Sequence, residues 1–352
     1  MNSRERVLAA VNHKASDRIP ITFDAANEVY DTLYTYFGTN SKEQLFNKLN
    51  VDTWMLLPGN FIYTPEEENK IEKTTVWGHK TVVKQYSGGT YDEIFFNPLA
   101  EKDEISDLKK YKWTSPDIFD FSHFPHEARL HSDRAIIGVF TWGPYFVASF
   151  LRGLENLMMD FAIRKDYAEY LISTLSEISA SALTRMLQSY GEGIDIVYMA
   201  DDYCSQDAPM FSPEDFKELI VPYLTKLVAI THRYNKKFLL HVCGAVRPLL
   251  PMIINTGVDM LEPIQIRASG MDPAGLKRDF GNDICFYGGV DLQQILCNGT
   301  PQQVSDEVKR LIDIMGENGG YILGPGHTYI QTDSPLENIL SMYETAFLYR
   351  RS

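Results

Sequence analysis

The feature that most constrains the fold is a series of eight short apolar runs separated by helical patterns. The runs occupy residues 20–24, 51–57, 135–140, 194–200, 237–241, 258–263, 283–288 and 321–324. None shows the strict alternation of a half-exposed strand, so both faces are expected to be buried. Doubly buried strands are typical of parallel sheets covered by helices. Strand and helix alternating along the whole chain predict an α/β fold with right-handed crossovers.

Eight strands, with a helix closing the chain, favour a (β/α)8 TIM barrel over a doubly wound sheet. The glycine pairs at Gly288-Gly289 and Gly319-Gly320 are isolated, so no dinucleotide-binding fingerprint follows a strand. The barrel is therefore the predicted architecture.

The strand spacing is uneven between the second and third runs. Segments 74–86 and 90–96, joined by Ser87-Gly88-Gly89, predict a β-hairpin inserted after the second strand. No linker rich in proline, glycine or serine interrupts the chain. We therefore expect residues 1–352 to form a single barrel domain, with an insertion at about 60–120.

Charge and composition exclude several classes of protein. With 44% hydrophobic residues among 352, the chain can bury a large core and is not a disordered protein. Its net charge of −14 disfavours nucleic acid as a partner. No apolar run approaches the roughly 20 residues of a membrane span, and residues 1–14 predict an amphipathic helix instead of a signal peptide. Four cysteines do not make a disulfide framework, so a cytoplasmic location is expected.

Polar residues follow the ends of the predicted strands. In chain order they are Asp24, then Trp142 and Tyr145, Asp201 and Asp202, His241 and Cys243, Glu262 and Gln265, Asp291, and His327. In a barrel these positions meet at the carboxyl-end rim, where the active site lies. We expect Asp24, Trp142, Tyr145, Gln265 and Asp291 to contact a substrate there.

His241-x-Cys243 is the sharpest local motif. Two strand residues spaced by two point to the same side, and an imidazole and a thiolate suit Zn2+. His327 is the first choice for a third ligand, with Glu262 and Asp201 as alternatives. The motif alone is a weak pattern, because a histidine and a cysteine near a strand end are more often core residues or residues that support a site.

The pair Asp201-Asp202 has two interpretations. Adjacent carboxylates raise each other's pKa, which suits acid–base catalysis, yet loop aspartates also commonly cap backbone N–H groups. Likewise, Trp142 and Tyr145 either wall a substrate pocket or pack in the core.

At these residues the chain resembles the uroporphyrinogen decarboxylase family, in its branch of corrinoid-dependent methyltransferases. The resemblance rests on four blocks: ADDYCSQDAPMFSPEDFKELIVPYLTKL, HVCGAVRPLLPMIINTGVDMLEPIQ, GMDPAGLKRDFGNDICFYGGVDLQQIL and GGYILGPGHTYIQTDSPLENILSMYE. The family fold is a (β/α)8 barrel. The methyltransferase branch implies zinc held by His241 and Cys243 together with a ligand near the last strand.

The sequence differs from the family pattern in two places. Uroporphyrinogen decarboxylases carry an arginine-rich segment after the first strand, whereas residues 20–34 here contain no arginine. Thiol methyltransferases of the branch use a cysteine near the last strand, whereas this chain offers His327 in GPGHTYIQ. Both departures favour a methyltransferase acting on a methyl ether or a methylamine.

The resemblance implies that zinc polarises the methyl-bearing heteroatom, while a Co(I) corrinoid on a separate protein takes the methyl group. Asp201, Asp202 or Glu262 would orient the substrate or donate a proton to the departing group. The chain lacks a D-x-H-x-x-G loop, so the cobalamin belongs to the partner. Relatives also suggest a homodimer. The alternatives are a carboxy-lyase of the decarboxylase type and a non-catalytic ligand binder.

Overall fold

The computed structural model describes residues 1–86 and 89–350. The strands are β1 (Thr53–Leu56), β2 (Glu72–Thr74), β3 (Lys80–Tyr86), β4 (Gly89–Phe96), β5 (Ala135–Val139), β6 (Ile196–Ala200), β7 (Lys237–His241), β8 (Met260–Glu262), β9 (Cys285–Val290) and β10 (Tyr321–Pro325). The helices are α1 (Ser3–Val11), α2 (Asn27–Phe37), α3 (Lys42–Leu49), α4 (Pro65–Glu68), α5 (Ile105–Lys110), α6 (Phe124–Leu130), α7 (Pro144–Arg152), α8 (Leu154–Ile163), α9 (Lys165–Tyr190), α10 (Pro213–Asp215), α11 (Val221–Arg233), α12 (Leu250–Asn255), α13 (Pro273–Phe280), α14 (Pro301–Met315) and α15 (Leu336–Leu348).

Seven strands form one curled parallel sheet in the order β1-β5-β6-β7-β8-β9-β10. They match seven of the predicted strands, with ends that differ by at most two residues. Their residues are almost all buried, as expected for strands covered by helices on one face and by the barrel interior on the other. The predicted barrel architecture is confirmed.

The prediction of a first strand at 20–24 is wrong, because this segment does not form a regular strand. This segment makes a single parallel bridge, from Ile21 to Leu323 of β10. The Ile21 carbonyl accepts the Asp52 N–H at 2.8 Å, but the Ile21 N–H donates to the Asp52 side chain instead of to the neighbouring backbone. Pro20 has no N–H to donate. A regular ladder therefore does not form, yet the segment connects β10 with the chain leading into β1 and closes the ring.

Apolar side chains fill the barrel interior. Ile137, Leu239 and Cys285 pack there, and Val7 and Val11 of α1 close the amino end. Cys285 is fully buried and packs as a small core residue. The carboxyl end is left open for polar side chains.

The hairpin predicted after the second strand is confirmed. Strands β3 and β4 pair antiparallel, and β2 extends them to a three-stranded sheet. The 74–86 segment is not one strand, because a tight turn with Gly78 at a φ of +98° separates β2 from β3. The predicted turn residues Ser87 and Gly88 lie outside the described residues.

The helical stretch that begins at Pro213 and ends at Arg233 is interrupted. A π-helical turn spans Phe216–Ile220, just before Pro222 in the first turn of α11. Proline has no N–H for the regular bond to the preceding turn, and this absence accounts for the irregularity.

No helix in the described part of the chain combines the length and apolarity that a bilayer span requires.

Candidate active site

Strand register places the central residues of the site side by side. Ala200 of β6 pairs with His241 of β7, and His241 pairs with Glu262 of β8. All three lie at the carboxyl ends of parallel strands, where the chain leaves the sheet. The residues that follow them, Asp202 and Cys243 among them, therefore emerge at the same point of the rim.

The imidazole of His241 is held from one side and faces two ligand atoms on the other. Its Nδ1 lies 2.5 Å from Glu262 Oε2 and 3.2 Å from Thr328 Oγ1. Its Nε2 lies 3.3 Å from Cys243 Sγ and 3.4 Å from Asp202 Oδ1. We call Asp202, His241 and Cys243 the ligand cluster, since one ligand atom from each lies within 4.8 Å of the others.

The turn after β7 fixes the cluster. The Cys243 N–H donates to Asp202 Oδ1 at 2.8 Å, and the Gly244 N–H donates to Gln265 Oε1 at 2.9 Å. Gly244 has a φ of +88°, and a Cβ there would lie 2.2 Å from the Ser205 carbonyl oxygen. Only glycine fits this turn, which brings the 201–205 loop against Cys243.

The groups around the His241 ring favour its positively charged form. Burial by itself would lower the pKa of His241, but Tyr198, Glu262 and Asp202 around the ring raise it well above its ordinary value. Burial raises the pKa of the Cys243 thiol, and His241 opposes that shift. Zn2+ is commonly bound by a sulfur, an imidazole nitrogen and a carboxylate oxygen that face the same position. A zinc-bound histidine commonly also has a carboxylate hydrogen-bonded to its other ring nitrogen. The residues present therefore fit the ion.

His327, the predicted third ligand, is not part of the ligand cluster. It follows β10, and its Nδ1 accepts the Tyr329 N–H at 3.3 Å. Burial, and then the charge of His241, lower the pKa of His327. Of the two alternatives, Glu262 lies on the Nδ1 side of His241, and Asp201 is bonded to other groups. Asp202, which was not predicted as a ligand, has its Oδ1 3.4 Å from His241 Nε2.

A pocket opens next to Glu262 and Thr328, the two residues that contact the Nδ1 side of His241. Its polar lining includes Asp24, Lys42, Tyr198, Glu262, His327 and Thr328. The Asp24 carboxyl accepts the Ala25 N–H at 2.9 Å and the Tyr30 hydroxyl at 3.2 Å. Burial raises the pKa of Asp24 to about 6. Asp24 thus lies where a substrate contact was predicted.

Asp201 points away from the pocket. Its carboxylate is fully buried and accepts hydrogen bonds from the Phe146 N–H at 2.7 Å, the Tyr203 hydroxyl at 2.9 Å and the Tyr223 hydroxyl at 2.5 Å. Burial raises the pKa of Asp201 to about 7, although those three donors oppose the shift. The Phe146 contact caps the first turn of α7. This position corresponds to the capping interpretation of the Asp201-Asp202 pair.

The other predicted substrate contacts divide between the core and the rim. Tyr145 is 1% exposed and packs against Phe161 and Phe211, so the packing interpretation describes its position. Trp142 is partly buried at the rim, with its ring 4.8 Å from that of Phe61.

Gln265, Asp291 and His327 line a second, smaller pocket beside the first. Asp291 is also engaged by Arg267, whose Nε lies 2.7 Å from its Oδ2. His327 lines both pockets, so the two share one wall.

Thr328 and Lys42 are two of the pocket residues that sequence reasoning missed. Thr328 contacts His241, but a threonine in a loop carries no distinctive pattern. Lys42 had a usable signal, because it opens α3 directly after the capping residue Ser41. A cation is disfavoured at a helix amino terminus, and such a conflict with local preference is a reason to look for a functional role.

Comparisons with known proteins relate the chain to two activities. It is 26% identical over 201 residues to a methylated-thiol–coenzyme M methyltransferase of Methanosarcina mazei, covering 56% of this chain and 48% of the relative. It is 24% identical over 208 residues to the methylcobamide:CoM methyltransferase MtbA of Methanosarcina acetivorans, covering 59% and 57%. The chloroplastic uroporphyrinogen decarboxylase 2 of Oryza sativa is 22% identical over 262 residues, covering 72% and 63%. The chain thus spans about half to two thirds of these relatives' length.

A solved structure shares the fold over its whole extent. The structure of a methyltransferase from Methanosarcina mazei superposes with a TM-score of 0.69 at 19% identity, covering 99% of this chain and 98% of that one. The family model described as uroporphyrinogen decarboxylase (URO-D) matches residues 97–347, well over half of the chain. The chain therefore belongs to the uroporphyrinogen decarboxylase family, whose members here are methyltransferases or decarboxylases.

Proposed function

We propose that this protein is a zinc-dependent methyltransferase. It moves a methyl group between a small methylated substrate, a methyl ether or a methylamine, and the cobalt of a separate corrinoid protein. The methyltransferase relatives support the general class, and the name of one of them supports a corrinoid as the other reactant. Zinc, the choice of substrate and the corrinoid partner are parts of the proposal.

One observation carries the proposal. Glu262 holds His241 Nδ1 at 2.5 Å, so that Nε2 is turned toward Cys243 Sγ and Asp202 Oδ1. A carboxylate on Nδ1 selects the tautomer whose Nε2 is free to bind a cation. A histidine and a cysteine that were simply core residues would not need that arrangement.

The roles of the residues follow from their places. Asp202, His241 and Cys243 would hold Zn2+, and a bound zinc ion supplies a Lewis acid for the heteroatom that carries the methyl group. Glu262 keeps the His241 ring in place. Asp24 and the phenols of Tyr198 and Tyr287 line the pocket that would receive the substrate and limit its water content.

The pocket argues against a porphyrinogen as substrate. A molecule with eight carboxylates requires several cationic partners, because an unpaired anion is costly to bury. Among the described residues that line the pocket, Lys42 is the one that carries a permanent positive charge, whereas Asp24 and Glu262 are carboxylates. A small substrate suits this lining better.

The test combines metal content with methyl transfer. Protein purified without a chelating tag is analysed for zinc and assayed for methylation of cob(I)alamin by methyl ethers and methylamines. We expect about one zinc per chain, lost in His241→Ala and Cys243→Ala together with activity. Cys297→Ala is the matched control, since this cysteine contacts Asp333 and Ser334, away from the ligand cluster.

Three outcomes would overturn the proposal. Equal zinc content in wild type, His241→Ala and Cys243→Ala would remove the metal site. Carbon dioxide release from porphyrinogens or small acids, with no methylation of cobalt, would favour the carboxy-lyase alternative. Ligand binding without either reaction would favour a non-catalytic binder.

A further inference from the structure

Lys42 occupies a place that helix stability does not explain. It is the first residue of α3, and Ser41 before it caps the helix by accepting the Gln44 N–H. The amino end of a helix carries partial positive charge, so a cation there is unfavourable. Lys48, in the last turn of the same helix, is where a lysine is favoured.

The Lys42 ammonium has aromatic neighbours and no anionic one in contact. It lies 5.2 Å from the ring centres of Phe46 and Trp54 and 6.0 Å from that of Tyr30. Over residues 1–86 and 89–350, no hydrogen bond and no ion pair within 4.0 Å engages its Nζ. Burial lowers the pKa of Lys42, although Asp24 and Glu127 oppose the shift. The rings hold the ammonium in position and leave its three donors available.

Asp24 leaves the Lys42 ammonium without a direct partner. Its carboxyl is already engaged by the Ala25 N–H and the Tyr30 hydroxyl, and it makes no ion pair with Lys42 within 4.0 Å. The two side chains act on each other's pKa through space, without direct contact. The Lys42 ammonium is therefore open to an anion from outside the chain.

The same pocket extends from Lys42 to the Nδ1 side of the His241 ring. Its lining includes Lys42 and Asp24, and also Glu262 and Thr328, which both contact the His241 ring. A ligand bound at Lys42 would therefore lie against the residues that hold the His241 ring. With the proposed function, the anionic group of a substrate would lie toward Lys42 and its methyl-bearing heteroatom toward His241.

We propose that Lys42 is a specificity-determining residue, whose ammonium binds an anionic group, a carboxylate or a sulfonate, on the methylated substrate. This inference deepens the proposed function and rests on it for the methyl-bearing end of the substrate. It assigns the substrate to the class of small methylated acids. A charge-assisted hydrogen bond in a partly desolvated pocket gives such a substrate an advantage over its neutral amide.

Binding alone tests the inference. Dissociation constants are measured by calorimetry on the full-length protein for the pairs methoxyacetate and methoxyacetamide, and 3-methoxybenzoate and 3-methoxybenzamide, with 3-methoxybenzenesulfonate as a third anion. In at least one pair the acid is expected to bind about tenfold or more tightly than the amide. Lys42→Met should abolish that preference without weakening the amide. Lys42→Arg should keep it.

Lys48→Met is the matched control, because it makes the same change at an exposed position of the same helix. Thermal denaturation and zinc content of Lys42→Met show whether the fold and the ligand cluster are intact. A preference of the sulfonate over both carboxylates would identify the anion as a sulfonate.

Three results would overturn the inference: no preference for the anion in either pair, no binding of any acid, or an unchanged preference in Lys42→Met. The outcome does not depend on methyl transfer. A protein without zinc or methyltransferase activity that still selects acids through Lys42 would contradict the proposed function and leave this inference standing.

Discussion

The two ends of the barrel both bury charge, but they use it differently. At the amino end, the fully buried Asp52 carboxylate lies 2.7 Å from Arg6 Nη1 and 2.6 Å from Arg18 Nη1, and it also accepts the Ile21 N–H at 2.8 Å. Arg6 makes a second ion pair with Asp17. Each of these charges is matched by another part of the chain, so the group joins α1, the 20–24 segment and β1.

At the carboxyl end, charged groups face open space instead. Lys42 has no anion in contact, and the ligand atoms of Asp202, His241 and Cys243 face one another. Asp24 and Glu262 line the pocket. Charges that satisfy one another stabilise a fold, whereas charges directed at a cavity are available to ligands, as expected for the two faces of a barrel.

The largest effect should come from breaking the amino-end group. Asp52→Asn leaves Arg6 and Arg18 buried without their shared carboxylate, so we expect a loss of about 3–5 kcal/mol in the free energy of unfolding. Urea denaturation measures it. Asp31→Asn, at an exposed position of α2, is the control and should change little. A loss under about 1 kcal/mol for Asp52→Asn would contradict the structural role of this group.

The second prediction concerns the third metal ligand. Asp202→Asn should weaken zinc binding about 100-fold, because the amide replaces an anionic ligand atom, whereas His327→Gln should stay close to wild type. Competition with a chromogenic chelator measures both affinities, and Asp207→Asn, exposed in the same loop, is the control. The reverse order of effects would restore His327 as the ligand.

A smaller effect is expected for Glu262→Gln. The amide no longer stabilises positive charge on the Nδ1 side of His241, so zinc affinity should fall about tenfold while the ligand atoms remain. The same chelator competition measures it. Unchanged affinity would show that the 2.5 Å contact does not orient the ring.

The smallest effect is a pH dependence of stability. The folded-state pKa of Asp24, about 6, lies above its ordinary value, so the folded chain holds this proton more tightly than the unfolded chain. Stability from this group is therefore lost as the pH rises from about 4 to 7. Lys42, Tyr30 and Glu262 are the charged or titratable groups that act on it.

Asp24→Asn does not titrate at this position. Its stability relative to wild type should therefore improve by about 1 kcal/mol between pH 4.5 and pH 7.5, a reduced value because the carboxyl faces a solvated pocket. Urea denaturation at the two pH values measures the difference. A relative stability that is the same at both would show that the Asp24 pKa is not raised.

Sequence reasoning predicted the strand ends and most of the rim. Seven strands were placed within two residues, because apolar runs ending in polar residues are local patterns. The structure places His241 and Cys243 side by side, with Cys243 in the turn just beyond β7. The segment at 20–24 failed because the Ile21 N–H is bound by a side chain 31 residues away, which no local pattern reveals.

The sequence by itself determined which chemical groups reach the carboxyl-end rim: a thiol, imidazoles and carboxylates at strand ends. Only the tertiary structure decided which of them meet. Asp201 and Asp202 are neighbours in the chain, yet one is turned into a buried tyrosine pair and the other toward His241. Lys42 reaches the same pocket as Glu262 across 220 residues of chain. Strand register and the path of the loops fix these contacts, and both depend on packing between distant segments.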